Sequence, residues 1–352
     1  MYKGKITDGH LHIYTDRCIP YFSHYMEKQN FEAIDVACLC NLDKSMEHDG
    51  AQNILAAIMK LLYPGKVYAH GGLVYPEFPI KEAPCGDYDF ENQAKELIDM
   101  GFDGIKMLEN KPTTRKLIDI PTCSPVFDGF YSYLEKNQIP IVSHTADPET
   151  FWDYDLAPAF SHTEGWFYGD GTFLTKEAIY DEVDRTLQKF PNLKITLPHF
   201  YFLSDFPEKA REFLNSHPNI TFDITPGREM YDNFTRHYEQ SRELFFDFAD
   251  RILFGTDMTS TAFQGEPSDM IDTIVRFLST DDEFEYWDFK IKGINLPDDK
   301  VEKICYSNHR NIYKEPKPIN KKMLAVYIER LVDYIKDDKT RKFVIDFAEN
   351  NL

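Results

Sequence analysis

Lys5-Ile6-Thr7-Asp8-Gly9-His10-Leu11-His12 is a short run that begins apolar and ends in two histidines. It reads as a buried strand, in which residues two apart share a face. His10 and His12 therefore point the same way at its C-terminal end. Seven further β-branched, apolar runs follow, at 32–40, 66–74, 102–108, 139–144, 193–199, 219–225 and 251–257. Helical periodicity fills the gaps. Ile54, Leu55, Ile58, Leu61 and Leu62 mark one apolar face. Phe127, Phe130, Tyr131 and Leu134 mark a second, Ile179, Val183, Leu187 and Phe190 a third, and Met270, Ile274, Val275 and Leu278 a fourth. Strands alternating with helices call for a parallel sheet. Eight such units predict a closed (β/α)8 TIM barrel. An open doubly wound sheet is the alternative, but no GxGxxG follows the first run.

Two regions exceed a minimal barrel. The stretch 145–175 after the fifth run is long and aromatic, and it is expected to lie over the active face. The tail 320–352 carries a helical pattern through Leu324, Ile328, Leu331, Val332 and Ile335. The expected division is thus a barrel over 1–319 and a helical extension over 320–352, packed on the barrel or on a second subunit of a homodimer.

The 352 residues include 59 acidic and 39 basic ones, a formal charge of −20. That balance repels phosphate backbones and anionic lipid, so neither nucleic acid nor a membrane surface is an expected partner. No stretch reaches the ~20 apolar residues a bilayer span needs, and the opening residues lack the apolar core of a signal peptide. The cysteines Cys18, Cys38, Cys40, Cys85, Cys123 and Cys305 form no CxxC pair. A cytoplasmic, reducing setting is expected.

The chemistry concentrates at strand ends. The run 139–144 ends in His144, 193–199 in His199 and 251–257 in Asp257. An unpaired imidazole or carboxylate in a buried strand is costly. Polar groups placed only at the C-terminal ends of strands 1, 5, 6 and 8 are what a divalent-metal site at a barrel mouth requires. DGHLH at 8–12, SHTADP at 143–148, LPH at 197–199 and RILFGTD at 251–257 together resemble the amidohydrolase superfamily, in its amidohydrolase-2 branch. The resemblance spans roughly residues 5–313 and defines the site better than the substrate.

By that resemblance His10, His12 and His144 are ligands, and Asp257 is a ligand or the acid/base. His199 binds a second ion or polarises the substrate. Lys106, at the end of the fourth run, matches a lysine that some members carboxylate to bridge two metals; otherwise it is a substrate-facing cation or pairs with Glu109. The implied cofactor is zinc, one ion or two, with manganese the alternative. The implied reaction is hydrolysis of an amide, lactone or ester bond in a small molecule. Asp257 serves as base, and His199 stabilises the oxyanion. Non-oxidative decarboxylation of an aromatic or muconate-type acid is the runner-up, ahead of hydratase or isomerase chemistry and of a non-catalytic metal-binding protein. Arg228, just past the seventh run, is placed to pair with a substrate carboxylate. Trp152, Asp153, His162, Trp166 and Tyr168 are candidates for the substrate pocket or for the loop's own core. His70 reads as a hydrogen-bonded core histidine. His24, His48, His217, His237 and His309 read as surface or capping residues.

Overall fold

Each predicted run contains a strand. The computed structural model describes residues 1–28, 31–39, 51–75, 89–227, 229–259 and 267–352. Arg228, His48, Cys40 and Cys85 lie outside them. The strands are β1 (Ile6–Leu11), β2 (Phe31–Ala37), β3 (Val67–Gly72), β4 (Gly104–Asn110), β5 (Ile141–Thr145), β6 (Ile195–Leu197), β7 (Ile220–Asp223) and β8 (Ile252–Leu253). They pair in sequential order, all parallel, with helices between them, as in a (β/α)8 barrel. A separate antiparallel hairpin, β9 (Glu283–Tyr286) and β10 (Phe289–Lys292), follows the eighth strand.

The last seam closes without a regular ladder. Gly9 N–H donates to the Phe254 carbonyl at 3.0 Å, Asp257 N–H to the His10 carbonyl at 2.8 Å, and His12 N–H to the Met258 carbonyl at 2.9 Å. A Cβ on residue 9 would stand 2.9 Å from the Phe254 oxygen and 3.1 Å from the His309 ring. Glycine is therefore required for the first and last strands to approach this closely. Asp8 fastens the same seam: it accepts the Thr256 hydroxyl at 2.6 Å, the Thr256 N–H at 3.1 Å and the Tyr25 hydroxyl at 2.9 Å. The seam thus sets His10, His12 and Asp257 side by side before any side chain is considered.

The predicted helix faces form the layer around the sheet. Ile54, Leu55 and Ile58 are buried under the helix Ala51–Leu62, while Leu62, at its end, is exposed. Phe127, Phe130, Tyr131 and Leu134, then Ile179, Val183, Leu187 and Phe190, then Met270, Ile274, Val275 and Leu278 are all buried. The tail helix Lys321–Leu331 lies on the helix Ala51–Leu62, where Asn53 donates to the Tyr327 hydroxyl at 2.8 Å. Among the described residues, no helix is long and apolar enough to cross a membrane.

His309 departs from its predicted place on the surface. The helix Asn308–Tyr313 closes the N-terminal end of the barrel. Asn308 there donates to the Ala249 and Ile252 carbonyls at 2.6 and 2.8 Å, and the Tyr68 hydroxyl donates to the Lys314 carbonyl at 2.5 Å. His309 is buried, with Nε2 2.8 Å from one oxygen of Asp35; His70 Nδ1 lies 2.8 Å from the other. His70 is the core histidine the sequence suggested. Burial opposes ionisation of Asp35, but the two imidazoles hold its carboxyl well below the usual range.

Candidate metal centre

Three histidines present the same nitrogen to one carboxylate. His10 Nδ1 lies 2.9 Å from Asp223, His12 Nδ1 lies 2.5 Å from the Ala37 carbonyl, and His199 Nδ1 lies 3.1 Å from the Thr225 carbonyl. These partners only accept, and the Thr225 hydroxyl, also 3.1 Å from His199 Nδ1, gives its proton to Asp223, so each Nδ1 carries the proton and each Nε2 keeps a lone pair. The three Nε2 atoms face Asp257, at 3.7 Å for His10, 2.8 Å for His12 and 3.7 Å for His199. A lone pair 2.8 Å from a carboxylate oxygen needs positive charge between them, either a proton or a cation. The donor set therefore suits a metal ion. Ligand atoms of His10, His12 and Asp257 all lie within 4.8 Å of one another.

The electrostatics keep the set ready to bind. Burial and the nearby Lys106 push His10 down to about 4, so its contact with Asp223 joins a neutral imidazole to a carboxylate. Burial likewise lowers His144 to about 3, with Lys111 adding to the effect. Burial works against the Asp257 carboxylate, but the contact with His12 Nε2 and the nearby His199 and His10 rings hold it well below the ordinary value once positive charge, a proton or a cation, lies between the rings and the carboxylate. Asp257 keeps 33% of its side chain exposed, against 1% for His10, so it is the member that water reaches. Its φ of 56° places it in the left-handed region.

Lys106 Nζ lies 3.2 Å from His10 Nε2 and donates to that lone pair. Burial brings the amine down to about 8. Glu109, its suggested partner, instead takes a hydrogen bond from the Tyr75 hydroxyl and one from the Leu108 N–H at 2.8 Å.

His144 is turned the other way. Its Nε2 lies 3.0 Å from the Ala146 carbonyl and 3.3 Å from Asp147, and its ring centroid is 5.1 Å from that of His199. His199 opens a left-handed turn, with φ values of 55°, 56°, 55° and 48° through Phe202, whose ring stacks on His199 at 5.1 Å. Beyond Phe202 lies a cavity of about 280 Å³ whose walls include Pro148, Glu149, Asp205, Glu229 and Met230.

The loop residues suggested for substrate contact pack mainly within their own loop. Trp152 donates to the Leu174 carbonyl at 2.9 Å, His162 lies against Phe167 at 4.5 Å, and Asp153 caps its own turn at Asp155 N–H, 2.9 Å away. Trp166 lies under Lys111, and Tyr168 is buried with its hydroxyl on Asp147. The sequence reading missed Asp223 and Asp147 as members of the site. Asp223 ends β7, so the strand-end pattern that singled out His144 and Asp257 also applied to it.

The sequence model of the amidohydrolase-2 family, described as amidohydrolase, matches residues 86–314. An uncharacterised TIM-barrel protein from Bordetella bronchiseptica shares 16% identity over 88% of this chain and 98% of its own, at a TM-score of 0.56. 4-Oxalomesaconate hydratase from Rhodopseudomonas palustris shares 15% over 88% and 95%, at 0.53. 2,6-Dihydroxybenzoate decarboxylase from Rhizobium shares 14% over 89% and 99%, also at 0.53. Likeness at such identities shows the fold alone. No curated protein matches the chain.

Proposed function

The chain belongs to the amidohydrolase-2 family, and from that premise we propose that it is a metal-dependent hydrolase cleaving an amide, lactone or ester bond in a small, carboxylate-bearing molecule. The observation that carries this reading is the convergence of three Nε2 lone pairs on the partly exposed Asp257. His10, His12 and Asp257 would hold the cation, with His144 and His199 as further donors. The nitrogen-rich set favours zinc, with manganese next. Such an ion supplies Lewis acidity to a carbonyl and makes water acidic near neutral pH.

The chain's own groups do the rest. Asp257 takes the proton from the attacking water and passes it to the leaving group. His199, with Nδ1–H committed to Thr225, offers a lone pair; it stabilises an oxyanion only after protonation. Lys106, positively charged over most of its range below pH 8, is the partner for a substrate carboxylate. The cavity beyond Phe202 has room for a small molecule's remaining groups.

The test is elemental analysis of purified protein, followed by assays on lactones, amides and aromatic acids. We expect about one ion per chain. Chelation should abolish activity, zinc or manganese should restore it, and the products should be a new carboxylate with an alcohol or amine. About two ions per chain would favour carboxylated Lys106. His12→Ala should lose the metal and keep the fold. Carbon dioxide released from an aromatic acid, without any bond hydrolysis, would replace this reading with decarboxylation.

A further inference from the structure

Asp147 stands three residues past His144, where the strand-5 loop begins, and is buried. Its Oδ1 lies 3.3 Å from His144 Nε2 and 3.1 Å from Lys111 Nζ. Its Oδ2 takes the Tyr168 hydroxyl at 2.6 Å and Lys111 Nζ at 3.0 Å. Lys111 in turn sits 4.7 Å from the centroid of the Trp166 ring. One carboxylate therefore joins the end of β4, the end of β5 and the far side of the loop.

The chemistry of the acceptors fixes the imidazole. His144 Nε2 faces a carboxylate and the Ala146 carbonyl at 3.0 Å, and neither can donate. Nε2 must carry the proton, which leaves the lone pair on Nδ1. A carboxylate behind the N–H also strengthens the opposite nitrogen as a donor. His144 is thus held in the reverse sense to His10, His12 and His199.

We propose that Asp147 is a positioning residue that locks His144 in its Nε2–H form, and that docking of the strand-5 loop through Tyr168 and Lys111 keeps Asp147 in place to do so. This deepens the reading of His144 as a metal donor and rests on it. Tyr168 and Trp166 then act on the centre through Asp147, without touching substrate. The loop that covers the active face also sets the donor strength of one member beneath it.

The tautomer can be read without metal, by the nitrogen shifts of the His144 ring in nitrogen-15-labelled apoprotein. The wild type should show His144 as the Nε2–H form alone. Asp147→Asn should weaken zinc binding by about 10- to 100-fold in competition with a chromophoric chelator, and Tyr168→Phe should weaken it less, in the same direction. Both should be measured well below the variants' unfolding temperatures, so that lost stability does not enter. A wild-type His144 carrying its proton on Nδ1 overturns the proposal. So do variants that lose stability but bind zinc as the wild type does. His144→Ala separates the two readings: if it binds zinc normally, His144 is not a donor and the ligand set proposed above fails, while the His144 tautomer in Asp147→Asn still judges whether Asp147 locks the ring. There a mixture of tautomers supports the lock, and an unchanged Nε2–H form shows that the Ala146 carbonyl alone sets it.

Discussion

Asp257 is placed by its backbone as well as by its neighbours. Its N–H bonds the His10 carbonyl at 2.8 Å, and its φ of 56° turns the carboxylate back across the seam towards His12. Left-handed backbone is costly for most residues but tolerated by Asp and Asn. Asp257→Asn should therefore keep the fold while removing the base, and kcat should fall by about 10²- to 10⁴-fold. Asp257→Ala should lose as much activity and also about 1 kcal/mol of stability from the backbone alone. Paired kinetics and denaturant melts check this; an Asn variant with wild-type turnover would remove Asp257 from the chemistry. Individual residues of this kind were legible because strand ends announce themselves: His12, His144, His199 and Asp257 each close an apolar run, and His10 shares the face of His12. Orientation was not legible. Nothing in SHTADP tells that Asp147 takes the Nε2 side of its neighbour, because that depends on the Ala146 turn, with φ 63°, and on partners at Lys111 and Tyr168.

At the scale of elements, the turn His199–Phe202 carries the most strain near the site. Four successive left-handed residues without glycine cost on the order of 1–2 kcal/mol each. Aromatic packing offsets this. Phe200 stacks on Phe245 at 5.3 Å and meets Phe234 at 4.8 Å; Tyr201 lies against Tyr180 at 4.6 Å, and the Tyr180 hydroxyl donates to the Tyr201 carbonyl at 2.8 Å. Lys176 holds the Phe202 carbonyl at 3.2 Å. The result is His199 aimed at Asp257 with Phe202 against its face. Phe200→Ala should cost about 3–5 kcal/mol, and the folded fraction should also turn over more slowly, because the released turn no longer holds His199. Unchanged kcat in that variant, corrected for folded fraction, would show that the turn only packs. Periodicity revealed the strands and helices because one face of each is buried, but it could not reveal this turn. A run of large aromatics reads locally as strand or helix, and only the tertiary partners force it left-handed. The same reason hid His309: its helix is polar enough to read as surface, and the barrel's need for a plug decides otherwise.

For the whole molecule, the polar groups enclosed by the barrel make its stability depend on pH in two distinct regimes. In metal-free protein His10 and His144 titrate near 4 and 3, against 6.5 when unfolded. The unfolded chain therefore binds more protons below about pH 6.5, and these two histidines lower stability as the pH falls towards 4. Asp8 acts in the opposite sense: burial raises it from 3.8 to about 7, so the folded chain holds the extra proton over that window and stability rises on acidification. Burial raises Glu109 as well. From pH 7 to about 4 Asp8 opposes the two imidazoles, Glu109 adds to Asp8 in the same sense, and the slope should be shallow. Below that the balance ends. Asp35, Asp147, Asp223 and Asp257 are all depressed in the folded state, Asp223 to about 2, against 3.8 when unfolded. Burial disfavours each charge, and imidazoles, Lys111 or hydrogen bonds outweigh it. Their stabilisation is complete above the unfolded value and is lost as the pH drops through the folded values, at up to about 1.4 kcal/mol per pH unit for each of the buried Asp35, Asp147 and Asp223 and less for the partly exposed Asp257. Guanidinium melts of the metal-free protein at half-unit steps should trace a gentle slope to pH 4 and a steep collapse beneath it. A steep loss already between pH 7 and 5 would mean that the imidazoles dominate and that Asp8 is ionised within the fold, which would remove the proton from the seam that brings His10, His12 and Asp257 together.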